Sequence, residues 1–252
     1  MCTVSWLRTQ DGYQLLCNRD ERHTRKPAFP PLIQEQQGVR FVAPVDGNLG
    51  GSWIGVNELG VTLCLLNRYG GSCGVRGTGP HRSRGLLLLE MLDSHSVAQI
   101  QSRIGQLDLG IYQPFSLVAL ELAAPSLLIH WNGQNCFIAG DEEDVMPLTS
   151  SSFETESVVA YRKRLLEKLA AERGGIDCNL LNAFHASHAA ASGAYSPCMH
   201  REDASTVSFS RVKVSGEIIE FEYHPYAPCL AAICKPAATS IAIMPSPIMA
   251  SM

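Results

Sequence analysis

Residues 50–67 constrain the fold more than any other stretch of the chain. They read Gly-Gly-Ser-Trp-Ile-Gly-Val-Asn-Glu-Leu-Gly-Val-Thr-Leu-Cys-Leu-Leu-Asn, with a second glycine pair, Gly70-Gly71, just beyond. Two short apolar runs, 52–56 and 61–67, flank a turn at Asn57–Gly60, which is the pattern of a β-hairpin. The chain opens in the same way: runs 2–7 and 13–18 lie on either side of a Gln10-Asp11-Gly12 turn and predict another hairpin. The charged, proline-rich stretch 21–31 predicts a loop.

Helical spacing takes over at residues 83–107, with a break at Asp93-Ser94 and Ser94 or Ser96 as cap of the second helix. Runs 114–122 and 125–133 predict a strand pair. Residues 154–173 form the clearest helix, stopped by Gly174-Gly175, and 177–191 predict another. Runs 204–214 and 216–225 close with a hairpin. The order of hairpins, helices, hairpins, helices and hairpin implies an α+β layered fold. With 252 residues, no internal repeat and no low-complexity linker, one domain over 1–252 is expected, with a Pro/Ala-rich extension from about residue 227.

Composition narrows the function. A hydrophobic content of 46% with 17% charged residues is that of a globular protein, and a net charge of -4 without a Lys/Arg cluster gives no footprint for nucleic acid. Arg8, Gln10 and Asp11 interrupt the first apolar run, so no secretory signal is expected, and Lys235 and prolines break the most apolar segment, 228–245, short of a membrane span. Nine cysteines, an odd number without a C-x-x-C pair, favour reduced thiols and a cytoplasmic location over a disulfide framework or zinc ribbon. His185 and His188, three apart on the expected helix, lack a third ligand at a telling distance, so no metal site is expected. The Gly-rich segment 68–85 lacks the Gly-Lys-Ser/Thr ending of a phosphate loop and reads as a mobile loop near a site rim, with Cys73 incidental.

The second residue carries the sharpest chemical signal. If Met1 is removed, Cys2 offers a thiol and an α-amine that titrates near ~8, so one residue supplies nucleophile and base. A nearby carboxylate would orient the ammonium and an Arg would favour the thiolate. Asn18, Arg19, Asp20 and Glu21 end the hairpin's second strand, which antiparallel pairing returns to the chain start. Period-2 alternation puts Asn18 and Asp20 on one face and Arg19 and Glu21 on the other, unless a bulge intervenes. The sequence leaves open which face meets Cys2. The plain alternative is a small buried cysteine beside a solvated turn.

Several motifs in order carry a resemblance. The Met-Cys start, Asn18-Arg19-Asp20-Glu21, Gly50-Gly51-Ser52-Trp53-Ile54-Gly55 with a strand ending at Leu66-Asn67, the segment 147–172 and the closing pair 205–223 resemble the NRDE family, also called the transport-and-Golgi-organisation family. The likeness spans residues 1 to about 225. That family is in turn similar to N-terminal-nucleophile (Ntn) hydrolases of the bile-salt hydrolase, penicillin V acylase and isopenicillin acyltransferase branch.

The resemblance implies a four-layer αββα sandwich of two antiparallel sheets. It makes Cys2 the nucleophile, Asp20 the group that holds its ammonium and Arg19 a neighbour of the thiolate; Asn67 matches a backbone oxyanion donor. In an ungapped register Asn18 and Glu21 take the places of the hydrolases' Arg and Asp. Ser150 stands where the hydrolases have a side-chain Asn donor, or it and Ser151 neighbour a helix N-cap. Asp203 stands where relatives carry an Arg, with His200 and Arg201 just upstream, as either a substrate-binding group or an internal ion pair. The implied activity is N-terminal cysteine amidohydrolase or acyltransferase chemistry on a small-molecule non-peptide amide, with no metal or organic cofactor. A homo-oligomer is compatible with it. The alternative is a non-catalytic carrier for lipid or haem, or a role in secretory-pathway organisation.

Overall fold

The computed structural model describes residues 2–69, 81–139, 146–188, 193–216, 218–231 and 239–243. Among the described residues, thirteen strands and four α-helices follow in chain order: β1 (Cys2–Thr9), β2 (Gly12–Arg22), β3 (Phe29–Gln36), β4 (Val39–Val45), β5 (Ile54–Asn57), β6 (Thr62–Asn67), α1 (Arg84–Met91), α2 (Val97–Gln106), β7 (Phe115–Glu121), β8 (Ala124–Trp131), β9 (Cys136–Ala139), β10 (Leu148–Ser150), α3 (Thr155–Arg173), α4 (Cys178–His185), β11 (Ala204–Ser215), β12 (Ile219–His224) and β13 (Thr239–Ile243). One sheet runs β10-β1-β2-β11-β12-β13 and the other β3-β4-β5-β6-β7-β8-β9, all pairings antiparallel.

Burial divides the molecule into layers. Val4, Trp6, Leu15 and Cys17 from the first sheet meet Trp53, Ile54, Cys64, Leu66 and Val118 from the second. On the outer face of the seven-stranded sheet, Leu63, Phe115, Leu117 and Ile129 pack under Leu87, Leu88, Val97, Ile100 and Ile104 of α1 and α2. Leu166, Leu180, Leu181 and Phe184 of α3 and α4 cover Leu16 and Phe209 of the six-stranded sheet. The result is the αββα sandwich, in which each fully buried Leu, Ile or Phe contributes roughly 1.5–3 kcal/mol of transfer free energy. No helix among the described residues is long and apolar enough to cross a membrane.

The two predicted opening hairpins are present, and so is the break between α1 and α2, with Ser96 Oγ accepting from the Gln99 N–H at 3.1 Å. Other boundaries differ from expectation. The stretch 21–31 is not all loop: β2 continues to Arg22, and β3 begins at Phe29 and runs through Pro30 and Pro31. β3 lies at a sheet edge with its register shifted between Phe29 and Leu32, a place where residues without an N–H are tolerated. β3 turns into β4 through Gln37 and Gly38, both at positive φ (51° and 78°), a geometry that matches strand twist. The helix expected over 177–191 ends at His185, and β13 falls within the expected C-terminal extension.

Because strands β1 and β2 are covered on both faces, their small polar residues must find partners within the helix layer. Ser5 Oγ lies 2.8 Å from His185 Nε2, and Thr3 Oγ1 accepts from Arg162 of α3. Burial, then the nearby Arg162 cation, push His185 down to about 3. Its folded value lies below the ordinary ~6.5, so the unfolded chain binds the proton more tightly. Stability from this group is therefore complete above about pH 6.5 and is lost as pH falls toward the folded value, at about 1.4 kcal/mol per pH unit. Urea unfolding at pH 7, 6 and 5 should show the slope of stability against pH smaller by about one proton in His185→Gln than in the wild type. Equal slopes would rule out His185 as the source. His130, pushed down to about 4 by burial and the Arg68 charge, adds in the same direction to both proteins.

Candidate active site

Register places Cys2. Counting outward from the Thr9–Gly12 pair at the turn brings Cys2 opposite Arg19 on β2, and on its other side Cys2 pairs with Ser150 of β10. Cross-strand partners share a face, so Cys2 and Arg19 look between the sheets, and Asn18 and Asp20 look toward the helices. That resolves the orientation which the sequence left open.

Arg19 is held from several sides. Its Nη2 donates to Asp46 Oδ2 at 2.6 Å and lies 3.3 Å from Glu21 Oε1, and its guanidinium sits 4.2 Å from the centre of the Trp53 ring. Asp46 also accepts from Arg25 (both distances 2.9 Å) and from the backbone N–H of Leu49. Burial alone would raise the Asp46 carboxyl; the bonds from Arg25 and Leu49, with the Arg25 and Arg19 charges, outweigh it and hold Asp46 below the usual carboxylate range. Sequence reasoning gives Asp46 no role, and only the fold reveals it as the anchor of Arg19.

The helix-side pair has a different occupation. Asn18 Nδ2 donates to the carbonyls of His185 (2.8 Å) and Pro197 (2.9 Å), which ties β2 to the end of α4. Asp20 Oδ1 accepts from Thr206 Oγ1 at 2.6 Å, and Asp20 Oδ2 lies 3.7 Å from Arg162 Nη1. Thr206 reaches it beside a bulge in β11, where the register with β2 shifts between Thr206 and Ser208. Arg162 is wholly buried although it stands in a charged run, Arg162-Lys163-Arg164, that gives no sign of burial.

A cleft of about 660 Å³ opens where the two sheets part, and Cys2, Arg19, Asp20 and Asn67 all line it. Asn67, half-buried at the end of β6, donates from Nδ2 to Tyr69 Oη at 3.0 Å. The Gly-Gly-Ser-Trp motif forms part of the wall: Ser52 N–H donates to the Gly85 carbonyl at 3.0 Å, and a Cβ on Gly51 would lie 2.5 Å from Gly85 carbonyl carbon. Only glycine permits that approach of the motif to α1. Leu49, Trp53, Leu65, Phe153 and Met199 supply apolar lining, and Arg84 and Arg201 add cations. Arg201 lies 5.3 Å from the centre of the Phe153 ring and 2.9 Å from Asp203.

The remaining expected site residues are placed as follows. Ser150 is buried, and its Oγ accepts from the Cys2 N–H at 2.9 Å, so here it acts as acceptor for the Cys2 nitrogen. Arg201 and Asp203 reach the cleft rim, whereas His200 turns its ring toward Cys198 and Cys229. Most of the Gly-rich segment, residues 70–80 with Cys73, lies outside the described residues. Burial pushes the Cys2 thiol up to about 12, against the lowering effect of the N-terminal charge.

A family model, Transport and Golgi organisation 2, matches residues 1–195. The chain belongs to this family. No curated protein sequence matches it significantly. Solved structures with a similar fold include penicillin V acylase from Agrobacterium tumefaciens (TM-score 0.57, 10% identity, 96% of this chain and 86% of that one). A mutant conjugated bile acid hydrolase from Clostridium perfringens superposes with TM-score 0.54 at 12% identity over 97% and 92% of the two chains. The Caenorhabditis elegans N-acylethanolamine-hydrolyzing acid amidase ortholog does so with TM-score 0.59 at 9% identity over 84% and 92%. At these identities the likeness establishes the Ntn-hydrolase-like fold that the family adopts here.

Proposed function

We propose that the protein is an N-terminal cysteine amidohydrolase or acyltransferase acting on small-molecule amides. The observation that carries this reading is the position of Cys2 at the start of β1, lining the cleft opposite a fixed Arg19 and with its nitrogen bonded to Ser150 Oγ. Removal of Met1 turns that nitrogen into an α-amine on the same residue as the thiol. The amine accepts the thiol proton, and its positive charge, with that of Arg19, favours the thiolate that burial otherwise disfavours.

The thiolate attacks the amide carbonyl and the C–S bond forms. The oxyanion is stabilised at the Asn67 end of β6 by backbone donation. The Cys2 ammonium returns its proton to the leaving nitrogen as the C–N bond breaks, and water or an acceptor amine then cleaves the thioester. Ser150 holds the amine, and Asp20, through Thr206 and Arg162, positions β2 beneath it. The lining suits an acyl group with apolar surface against Trp53, Leu65 and Phe153 and an anionic end toward Arg84 and Arg201.

Intact-mass analysis of untagged protein, incubated with a panel of acyl amides and thioesters, tests the reading. The expected result is a mass lacking Met1 and a thioester-labile acyl adduct. Retained Met1 would refute the amine as base, and a processed protein that binds the panel without forming an adduct would favour a carrier.

A further inference from the structure

Four side chains outside the cleft converge from distant parts of the chain: His188 after α4, Cys198 and His200 in the segment before β11, and Cys229 in a 3₁₀ turn, Pro228–Leu230, that follows β12. One donor atom from each lies within 4.8 Å of all the others. His200 Nε2 is 3.5 Å from Cys198 Sγ and 3.4 Å from Cys229 Sγ, and the His188 and His200 rings stack edge to face with centres 5.0 Å apart.

These distances have a chemical meaning. A tetrahedral Zn²⁺ with bonds of about 2.3 Å to sulfur and about 2.0 Å to nitrogen sets its neighbouring N and S ligands roughly 3.5 Å apart. The two N···S separations already have that value without an ion to hold them. Two thiols and two imidazoles are also a donor set suited to a thiophilic, borderline-soft divalent cation. The geometry points to a structural Zn²⁺ site made by His188, Cys198, His200 and Cys229.

Four protein ligands fill a tetrahedron and leave no position for water or substrate, so the ion ties the structure together and takes no part in acyl chemistry. Cys198 is buried and His188 is exposed, which gives the ion an anchored side and an entrance. Binding releases the two thiol protons to solvent as the two Zn–S bonds form. The clamp joins the segment after β12 to the loop that carries Arg201 to the cleft rim, and it explains why His200 turns away from the cleft while its neighbour faces it. The site is illegible in sequence because Cys198 and His200 are the only ligands close together. His185, with which His188 is naturally paired on paper, is instead held by Ser5 inside the sandwich.

The full chain, purified under reductant and dialysed, should retain one zinc per chain by elemental analysis. Replacement by Co²⁺ should give thiolate-to-cobalt charge transfer and the visible bands of a tetrahedral site. Cys229→Ser should abolish the charge-transfer signature of two thiolates, and His188→Ala, at an exposed position where folding is little affected, should weaken zinc binding on the order of a hundredfold or more. A wild-type chain that holds neither ion, or zinc binding unchanged by both substitutions, would overturn the assignment.

Discussion

Cys2→Ala should leave the fold intact and abolish acyl transfer. The side chain is half-buried at the start of β1, so its truncation removes little packing, and urea midpoints should shift by no more than about 1 kcal/mol equivalent. Turnover of any amide that acylates the wild type should fall on the order of 10⁴-fold or more, as expected when a nucleophile is removed from a set of residues that act together. The adduct seen by intact mass should vanish. A companion protein with one extra residue ahead of Cys2 keeps the thiol but converts the amine to an amide, and it should be equally silent. Activity in that companion would show that another group is the base, and activity in Cys2→Ala would remove Cys2 from the chemistry.

The largest stability effect should come from Arg162→Met. Arg162 is 0% exposed, donates to Thr3 Oγ1 and to the carbonyls of Ala194 (2.9 Å) and Tyr195 (3.3 Å), and faces Asp20 at 3.7 Å. Methionine fills much of the volume but removes the charge that compensates a buried carboxylate. Breaking such a pair from one side costs about 3–5 kcal/mol. Urea unfolding at pH 7 should show a loss of that size. It should shrink in the double variant with Asp20→Asn, because the second substitution removes the uncompensated charge. Additive losses in the cycle would mean that Arg162 acts only through its carbonyl and Thr3 contacts.

Much of the fold was legible because its signals are local. Alternation and glycine turns mark the β1–β2 and β5–β6 hairpins, and helical spacing with Ser96 as cap marks α1 and α2. β3 is hidden in the sequence because Pro30 and Pro31 read as loop, and only its position at a sheet edge makes them acceptable. β9 and β10, of four and three residues, are too short for a pattern and are strands only because β8 and β1 recruit them.

The candidate site divides in the same way. Cys2 opposite Arg19 follows from counting out from the turn, a step that alternation alone does not supply. Asp46, Arg162 and the ring of His188, Cys198, His200 and Cys229 depend on contacts between distant segments. No spacing in the chain announces them. Ser150 stands where the resemblance has an asparagine donor, and in the fold its oxygen accepts from the Cys2 N–H, which a hydroxyl can do as readily as donate.

The prolines of β3 have one more consequence. Open sheet edges invite other chains to add strands, and this edge exposes Phe29, Leu32 and Ile33 to solvent. Pro30 and Pro31 are consecutive and lack an N–H, so the row of outward donors is interrupted there, and the register of β3 with β4 shifts at the same place. The same residues that disguise the strand in the sequence therefore leave a gap in the row of donors that another copy would need to extend the sheet.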